Sequence, residues 1–268
     1  MNGINNVGNT CFMNSILQLL LSCDDFKKII KKYSKSSSEI NIVSDFIKEY
    51  ENDSKSIRPI ELKKMISQNI NLFDNYNQHD AFEFLVLFLD FLNSKCNNEF
   101  NNIFNIKTNI NIKCKVISCF NESIHSEKDI YLMLPILNTL DESYREYKST
   151  ERIDRDLIYC EKCRMKTVSR KMIKIEEWPN NLIIVLKRFY NNLRKNTKDI
   201  EIPFKWRHNY KLYGGVIHSG SSSGGHYYYY RLIDNDWYVL NDSGYRIINT
   251  NELINLKKQS YILYFKKV

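Results

Sequence analysis

Two cysteine-bearing stretches and one histidine hold the residue types able to do covalent or metal chemistry. Cys11 closes the run Gly3-Ile4-Asn5-Asn6-Val7-Gly8-Asn9-Thr10, ahead of Phe12-Met13-Asn14-Ser15 and the apolar Ile16 to Leu21. A helix beginning at Cys11 would aim its free N-terminal amides and its dipole at the sulfur, lowering the thiol pKa and supplying a nucleophile. A free cysteine is otherwise a small buried hydrophobe, but the glycines and amides upstream bury little and read as a shaped loop rich in donors. His226 follows Gly224-Gly225, which let backbone and substrate come close, and leads into Tyr227-Tyr228-Tyr229-Tyr230. Fifteen residues later, Trp237-Tyr238-Val239-Leu240 runs into Asn241-Asp242. Cys, then His, then Asn or Asp is the chain order of a papain-like nucleophile, base and orienting group, although spacing alone proves nothing. Separately, Cys160-Glu161-Lys162-Cys163 offers half of a tetrahedral zinc site. The preceding strands hold Cys114 and Cys119, with four residues between them in place of two.

These residues need elements to hold them. The first hundred residues read as helical: Ile16 to Leu21 follow a starting cluster, and Val43, Phe46, Ile47 and Tyr50 keep the i, i+3, i+4, i+7 spacing. Pro59 suits a helix N-terminus, with Leu62, Met65 and Ile66 as the buried face. Asp80 to Leu92 is apolar almost all round, with Asp80, Glu83 and Asp90 on one stripe. After about Phe104 the period shortens, and Ile106, Ile110 and Ile112, then Lys171 to Glu176 and Leu182 to Leu186, predict strands. Asp141 to Asp156 is highly charged and reads as a helix or a solvated excursion, and Ser219 to Gly225 as a flexible loop. Strands are expected again at Tyr227 to Leu232, Trp237 to Leu240 and Tyr261 to Phe265. Helices first and strands later predict an α+β arrangement and not a parallel α/β sheet.

Composition narrows the class. The 268 residues allow one large domain or two small ones, and 43% hydrophobic residues with 18 Tyr and 14 Phe supply a core. The longest apolar runs are about six residues, such as Phe84 to Leu89, against the roughly 18 that a membrane span needs. Cys11 to Leu21 contains Asn14, Ser15 and Gln18 and lacks a basic segment before it, unlike a signal peptide. Seven irregularly spaced cysteines fit a reducing compartment, so an intracellular site in cytoplasm or nucleus is expected. The net charge of +8 is spread along the chain, which predicts a mildly basic solvated surface without nucleic-acid binding.

Six motifs in order resemble the ubiquitin-specific proteases, papain-like deubiquitinases. Gly3 to Gln18 is similar to their Cys box, and Gln78-His79-Asp80-Ala81-Phe82-Glu83-Phe84-Leu85 to the acidic motif that follows it. Trp178-Pro179-Asn180-Asn181-Leu182 with Leu186-Lys187-Arg188-Phe189 resembles the family's strand ending in LKRF. Tyr210 to Tyr230 with His218 and His226, Trp237 to Asp242, and the closing Tyr261-Ile262-Leu263-Tyr264-Phe265 complete the set. The resemblance implies a single catalytic domain with a helical thumb (1–103), antiparallel β fingers (104–177) and a β-rich palm (178–268). It makes Cys11 the nucleophile, His226 the base and Asn241 the orienting residue, with Asn6 and the Cys11 amide donating to the oxyanion. Asn241 stands where an Asp is frequent, so whether Asn241 or the neighbouring Asp242 does the orienting stays open. Asp80 and Glu83 would meet the arginines of the ubiquitin tail, with an N-terminal cap as the bland alternative for Asp80. Gly225 and Tyr227 would wall the site beside His226. In the family's register Cys119 takes a zinc-ligand position but Val116 takes its partner's, so a site of Cys114, Cys119, Cys160 and Cys163 needs a remodelled turn. Both a zinc-bound and a metal-free finger region remain open, and the chemistry needs no cofactor.

The expected activity is hydrolysis of the peptide or isopeptide bond after the C-terminal glycine of ubiquitin, by a monomer acting on ubiquitinated proteins with no membrane partner. A bare catalytic domain is expected, since Cys11 lies near the start and the last strand near the end. Three other readings compete: a ubiquitin-binding pseudo-enzyme, a protease for a ubiquitin-like modifier, and a basic zinc-ribbon module for nucleic acid. The last explains neither the Cys box nor the His box.

Overall fold

The computed structural model describes residues 2–52, 56–190 and 194–268. Its first part is helical: α1 (Cys11–Leu21), α2 (Asp24–Tyr33), α3 (Ser38–Asn52), α4 (Ile60–Asn69), a 3-10 turn at Asn71–Phe73, α5 (Ala81–Lys95) and α6 (Glu99–Phe104). α1 is buried along its whole length. Its polar side chains bond within the protein: Gln18, for one, donates to the Asn2 carbonyl at 2.9 Å and accepts from the Tyr50 hydroxyl at 2.7 Å. Just beyond its end, Ser22 bonds the Tyr229 hydroxyl at 2.9 Å. α5 packs on α1 with Phe84, Leu85, Phe88, Leu89 and Leu92 buried at helical spacing.

A four-stranded antiparallel sheet follows, ordered β2 (Glu122–Asp129), β1 (Ile106–Cys114), β5 (Met165–Glu177) and β4 (Glu151–Cys160). A larger sheet contains β3 (Leu132–Leu134), β6 (Asn181–Leu186), β8 (Tyr210–Ser221), β9 (Gly224–Ile233), β10 (Asp236–Asn241), β11 (Gly244–Ile247) and β12 (Ser260–Lys267), with β7 (Lys205–Trp206) beside β8. Its order is β11-β10-β9-β8-β12-β6-β3, antiparallel except for β3 on β6. The helices cover one face through Ile183, Val185, Val216 and Tyr229. On the other face lie α7 (Leu140–Tyr147) and α8 (Thr250–Lys258), packed on Leu182, Ile184 and Leu263. With both faces covered, every residue of β6 is buried, so an alternating pattern is lost there. The α+β arrangement expected from the residue pattern, and the papain-like architecture implied by the resemblance, are the ones observed.

Two expectations are corrected. Asp141 to Asp156 divides into α7 and the start of β4, because Thr139 caps the helix by accepting from the Glu142 amide at 3.1 Å and Glu151 to Ile153 pair with β5. Ser219 to Gly225 is not a loop. It continues β8 and β9 to the pair Ser221↔Gly224, so His226 sits within a strand opposite Ser219.

Arg188, which follows β6, is 1% exposed and has no carboxylate bonded to it among the described residues. It donates instead to four carbonyls: Ser260 at 2.6 Å, Lys258 at 2.8 Å, Asn196 at 3.0 Å and Lys198 at 3.1 Å. Burial pulls its pKa down to about 10, so it stays charged at neutral pH. Arg188→Met should lower the urea unfolding free energy by about 3 kcal/mol or more, since each buried acceptor left bare costs about 1–3 kcal/mol. Arg188→Lys should recover only part, because a point charge cannot span the fork.

Candidate active site

Cys11 is the first residue of α1 and is 3% exposed. The loop before it folds around one side chain. Asn6 Oδ1 accepts from the Thr10 amide at 3.0 Å, the Gly8 amide at 3.2 Å and the Thr10 hydroxyl at 3.3 Å. Asn6 Nδ2 donates to Asp242 Oδ2 at 3.1 Å, which leaves its second hydrogen available. The helix terminus does not depress the thiol as its position predicted. Burial raises the Cys11 pKa and the Asp242 charge adds to this, outweighing the amides of Tyr227, Phe12 and Cys11 itself, which lower it. Removing water from a thiolate costs more here than a helix end returns.

His226 and Asn241 stand on neighbouring strands, with Nε2 of the ring 2.6 Å from Asn241 Oδ1. A carboxamide oxygen only accepts, so Nε2 carries the hydrogen and Nδ1 keeps its lone pair. Asp242 lies one residue on, in the left-handed region at φ 46°. Its carboxylate turns to the Cys loop and not to the ring, accepting from Asn6 and, through Oδ1, from Asn14 at 2.8 Å. Its carbonyl accepts from the Ile4 amide at 2.7 Å. The second histidine, His218, is buried against the Tyr227 and Phe189 rings, and burial first, then Lys195 and His226, lower its pKa to about 4. A cavity of about 610 Å³ opens beside His226 and Asn241, bordered by Tyr228, Tyr245, Arg246 and Glu252.

Asp80 and Glu83 part company. Asp80 caps α5 by accepting from the amides of Phe82 at 2.8 Å and Glu83 at 3.1 Å. The same carboxylate accepts from the Tyr227 hydroxyl at 3.1 Å and the Tyr261 hydroxyl at 3.0 Å. Burial, with the Asp80 charge next, raises both phenols, which keeps them donors. With four donors on it, Asp80 has little left for an incoming cation, whereas Glu83 is exposed. Gln78, which spacing did not single out, crosses to β9 and accepts from the Gly225 amide at 3.1 Å. Gly225 tolerates no side chain: a Cβ there would lie 2.3 Å from the Ser219 carbonyl oxygen and 2.4 Å from His218 Nε2.

The four candidate metal ligands converge. The sulfurs of Cys114, Cys119, Cys160 and Cys163 all lie within 4.8 Å of one another. Cys114–Cys163 is 3.9 Å and Cys119–Cys160 is 3.7 Å, close to the about 3.8 Å edge of a tetrahedron with about 2.3 Å zinc–sulfur bonds. The longer turn is accommodated by Ser118 in the left-handed region (φ 67°) and by the Cys119 amide bonding the Val116 carbonyl, which leaves Val116 exposed.

A family profile described as "Ubiquitin carboxyl-terminal hydrolase" matches residues 2–265. The chain belongs to this family. It is 26% identical over 99% of its length to "Ubiquitin carboxyl-terminal hydrolase Usp2" of Drosophila melanogaster, and 28% over 99% to "Ubiquitin carboxyl-terminal hydrolase 16" of Arabidopsis thaliana. It spans 34% and 30% of those relatives' lengths, about a third. Among solved structures it superposes with a TM-score of 0.83 on a chain of the SAGA Ubp8/Sgf11/Sus1/Sgf73 DUB module bound to ubiquitin aldehyde, at 24% identity, covering 99% of this chain and 69% of that one. That likeness shows the shared fold.

The raised thiol of this family member has a consequence that alkylation can read. Followed by mass spectrometry, alkylation of Cys11 by iodoacetamide should rise with pH through a midpoint above that of a free thiol. Asp242→Asn removes a negative charge that disfavours the thiolate, so it should move the midpoint down. A midpoint below about 8.5, the ordinary thiol value, or an upward move in the variant would contradict this account.

Proposed function

We propose that the chain is a cysteine-type deubiquitinase that hydrolyses the peptide or isopeptide bond after the C-terminal glycine of ubiquitin. The observation that carries this is the 2.6 Å His226–Asn241 contact, which leaves Nδ1 free as a base in a chain whose Cys11 heads a helix behind a donor-lined loop. The thiol proton passes to His226 Nδ1 as sulfur bonds the carbonyl carbon. The oxyanion takes the second Asn6 Nδ2 hydrogen and the Cys11 amide. Collapse to a thioester sends the proton to the leaving amine, and water then repeats the sequence. Asn241 holds the tautomer. Asp242 acts through Asn6, which it grips, and supplies negative charge near the site. Gln78 and Gly225 narrow the cleft beside His226, and Glu83 is the carboxylate left to pair with an arginine of the tail.

On a ubiquitin C-terminal amide, Cys11→Ala and His226→Ala should each abolish turnover with the fold intact. Asn6→Ala should lower kcat about 10²–10³-fold with little change in KM, because its bond strengthens only as charge develops. Asp242→Ala should slow the reaction too, and less than additively with Asn6→Ala. Glu83→Lys should raise KM while Cys11 remains open to alkylation. Turnover by Cys11→Ala would sink the assignment. A wild-type chain that binds ubiquitin but fails to cleave it would favour the pseudo-enzyme, and preferential reaction with a ubiquitin-like suicide probe would favour the other modifier.

Zinc fits the four-cysteine cluster, where Cys114, Cys119, Cys160 and Cys163 would hold it. A closed set of four thiolates would give the ion a structural role. Purified protein should carry about one zinc by elemental analysis, and a chelator or Cys114→Ser should lower the melting temperature. Metal-free protein that melts unchanged would decide for a finger region held by sheet packing. The free cysteines support an intracellular setting.

A further inference from the structure

The Cys loop is gripped from outside as well as from within. Lys63, in the first turn of α4, donates its ammonium to the carbonyls of Val7 at 3.2 Å and Gly8 at 3.5 Å. That ammonium also sits 3.9 Å from the centroid of the Tyr76 ring. Asn9 reaches the same place from the loop, its Nδ2 donating to the Tyr76 carbonyl at 2.7 Å. A cavity of about 730 Å³ borders this clamp at Val7, Lys63 and Tyr76, and it contains neither Cys11 nor His226.

The Val7 carbonyl and the Gly8 amide belong to one planar trans peptide, so its oxygen and hydrogen point in opposite directions. Lys63 holds the oxygen end, and Asn6 Oδ1 accepts from the hydrogen end at 3.2 Å. Gly8 has φ +106°, and a Cβ there would meet Tyr76 Cδ1 at 2.8 Å. Glycine on one side of a peptide removes most of the steric resistance to turning it over. Turned over, this peptide would present its oxygen to Asn6 Oδ1, setting acceptor against acceptor and leaving the side chain held by Thr10 and Asp242 alone.

We propose that Lys63 is a positioning residue for the oxyanion donor: its ammonium pins the Val7–Gly8 peptide, and that peptide holds the Asn6 amide with Nδ2 turned to the reacting carbonyl. This rests on the role given to Asn6 above. Lys63 bonds the loop backbone, and its effect reaches the chemistry through the Val7–Gly8 peptide plane.

Lys63→Met keeps the stem and removes the charge. In the full chain, kcat on a ubiquitin C-terminal amide should fall about 5- to 50-fold with KM held within about twofold, a smaller loss than that of the donor itself. Lys63→Arg, which can bridge two carbonyls and stack on Tyr76, should keep most of the activity. Tyr76→Leu removes only the exposed ring beneath the ammonium and should give a milder fall in kcat. Hydrogen exchange at the Gly8 amide, followed by NMR without substrate, should quicken in Lys63→Met, while Cys11 alkylates at the wild-type rate. Unchanged kcat, a loss confined to KM, or an Arg variant no better than Met would overturn the proposal. If the wild-type chain cleaves no ubiquitin, the functional reading fails, and Gly8 exchange decides the pinning alone: quickened exchange supports it, and unchanged exchange overturns it.

Discussion

The Asp242 carboxylate accepts from Asn6 and Asn14 across a separation of more than two hundred residues, and its own carbonyl accepts from the Ile4 amide. Asp80 does the reverse: from the head of α5 it accepts from Tyr227 and Tyr261 of the sheet. One carboxylate thus reaches from sheet to helices and the other from helices to sheet. Both carboxylates are half-buried, and the charge-assisted bonds that fill their lone pairs are the strong ones. Those bonds join helices to sheet at two points. The cleft between helices and sheet is therefore set by electrostatic satisfaction as well as by apolar packing.

The same economy governs α1. A helix buried all round has no solvent face on which to leave polar groups, so Asn14 and Gln18 must find partners in the chain N-terminal to it. They bind the backbone of residues 2–4, and the segment ahead of the nucleophile is fixed before any loop contact is counted. Burial also explains why the Cys11 pKa is raised. Such a nucleophile depends on a base with a free lone pair, which the Asn241 contact leaves at His226 Nδ1.

The four-stranded sheet is built on another principle. β2 is exposed nearly throughout, and the far end of the sheet has a core of four cysteines in place of aliphatic side chains. A two-layer apolar core cannot form where one sheet stands alone. The convergence of Cys114, Cys119, Cys160 and Cys163 supplies a local substitute, and the proposed zinc would turn four small contacts into one strong one.

Much of the site was readable from the chain because its members sit where elements begin or end. Cys11 at the head of α1, Asp80 before α5 and Asn241 at the close of β10 are marked by changes in residue type that any such boundary requires. The α+β class was legible for the same reason, as the apolar period shortens after α6. Tertiary structure decided whatever depends on which strand lies beside which. Pairing of Cys114 with Ser169 and of Cys160 with Met165 places both cysteine pairs at one end of the sheet, and no spacing rule predicts that register. The direction of the Asp242 carboxylate, toward Asn6 and away from His226, follows from its left-handed backbone and from Asn14 on a distant helix. The share of Asp80 taken by Tyr227 and Tyr261 could not be read from a cap motif, Lys63 and Tyr76 carry no local pattern, and the acidic motif that holds Gln78 does not tell that it bonds the Gly225 amide. Local sequence encodes periods, caps and turns because these involve neighbours along the chain; the filling of a lone pair depends on neighbours in space.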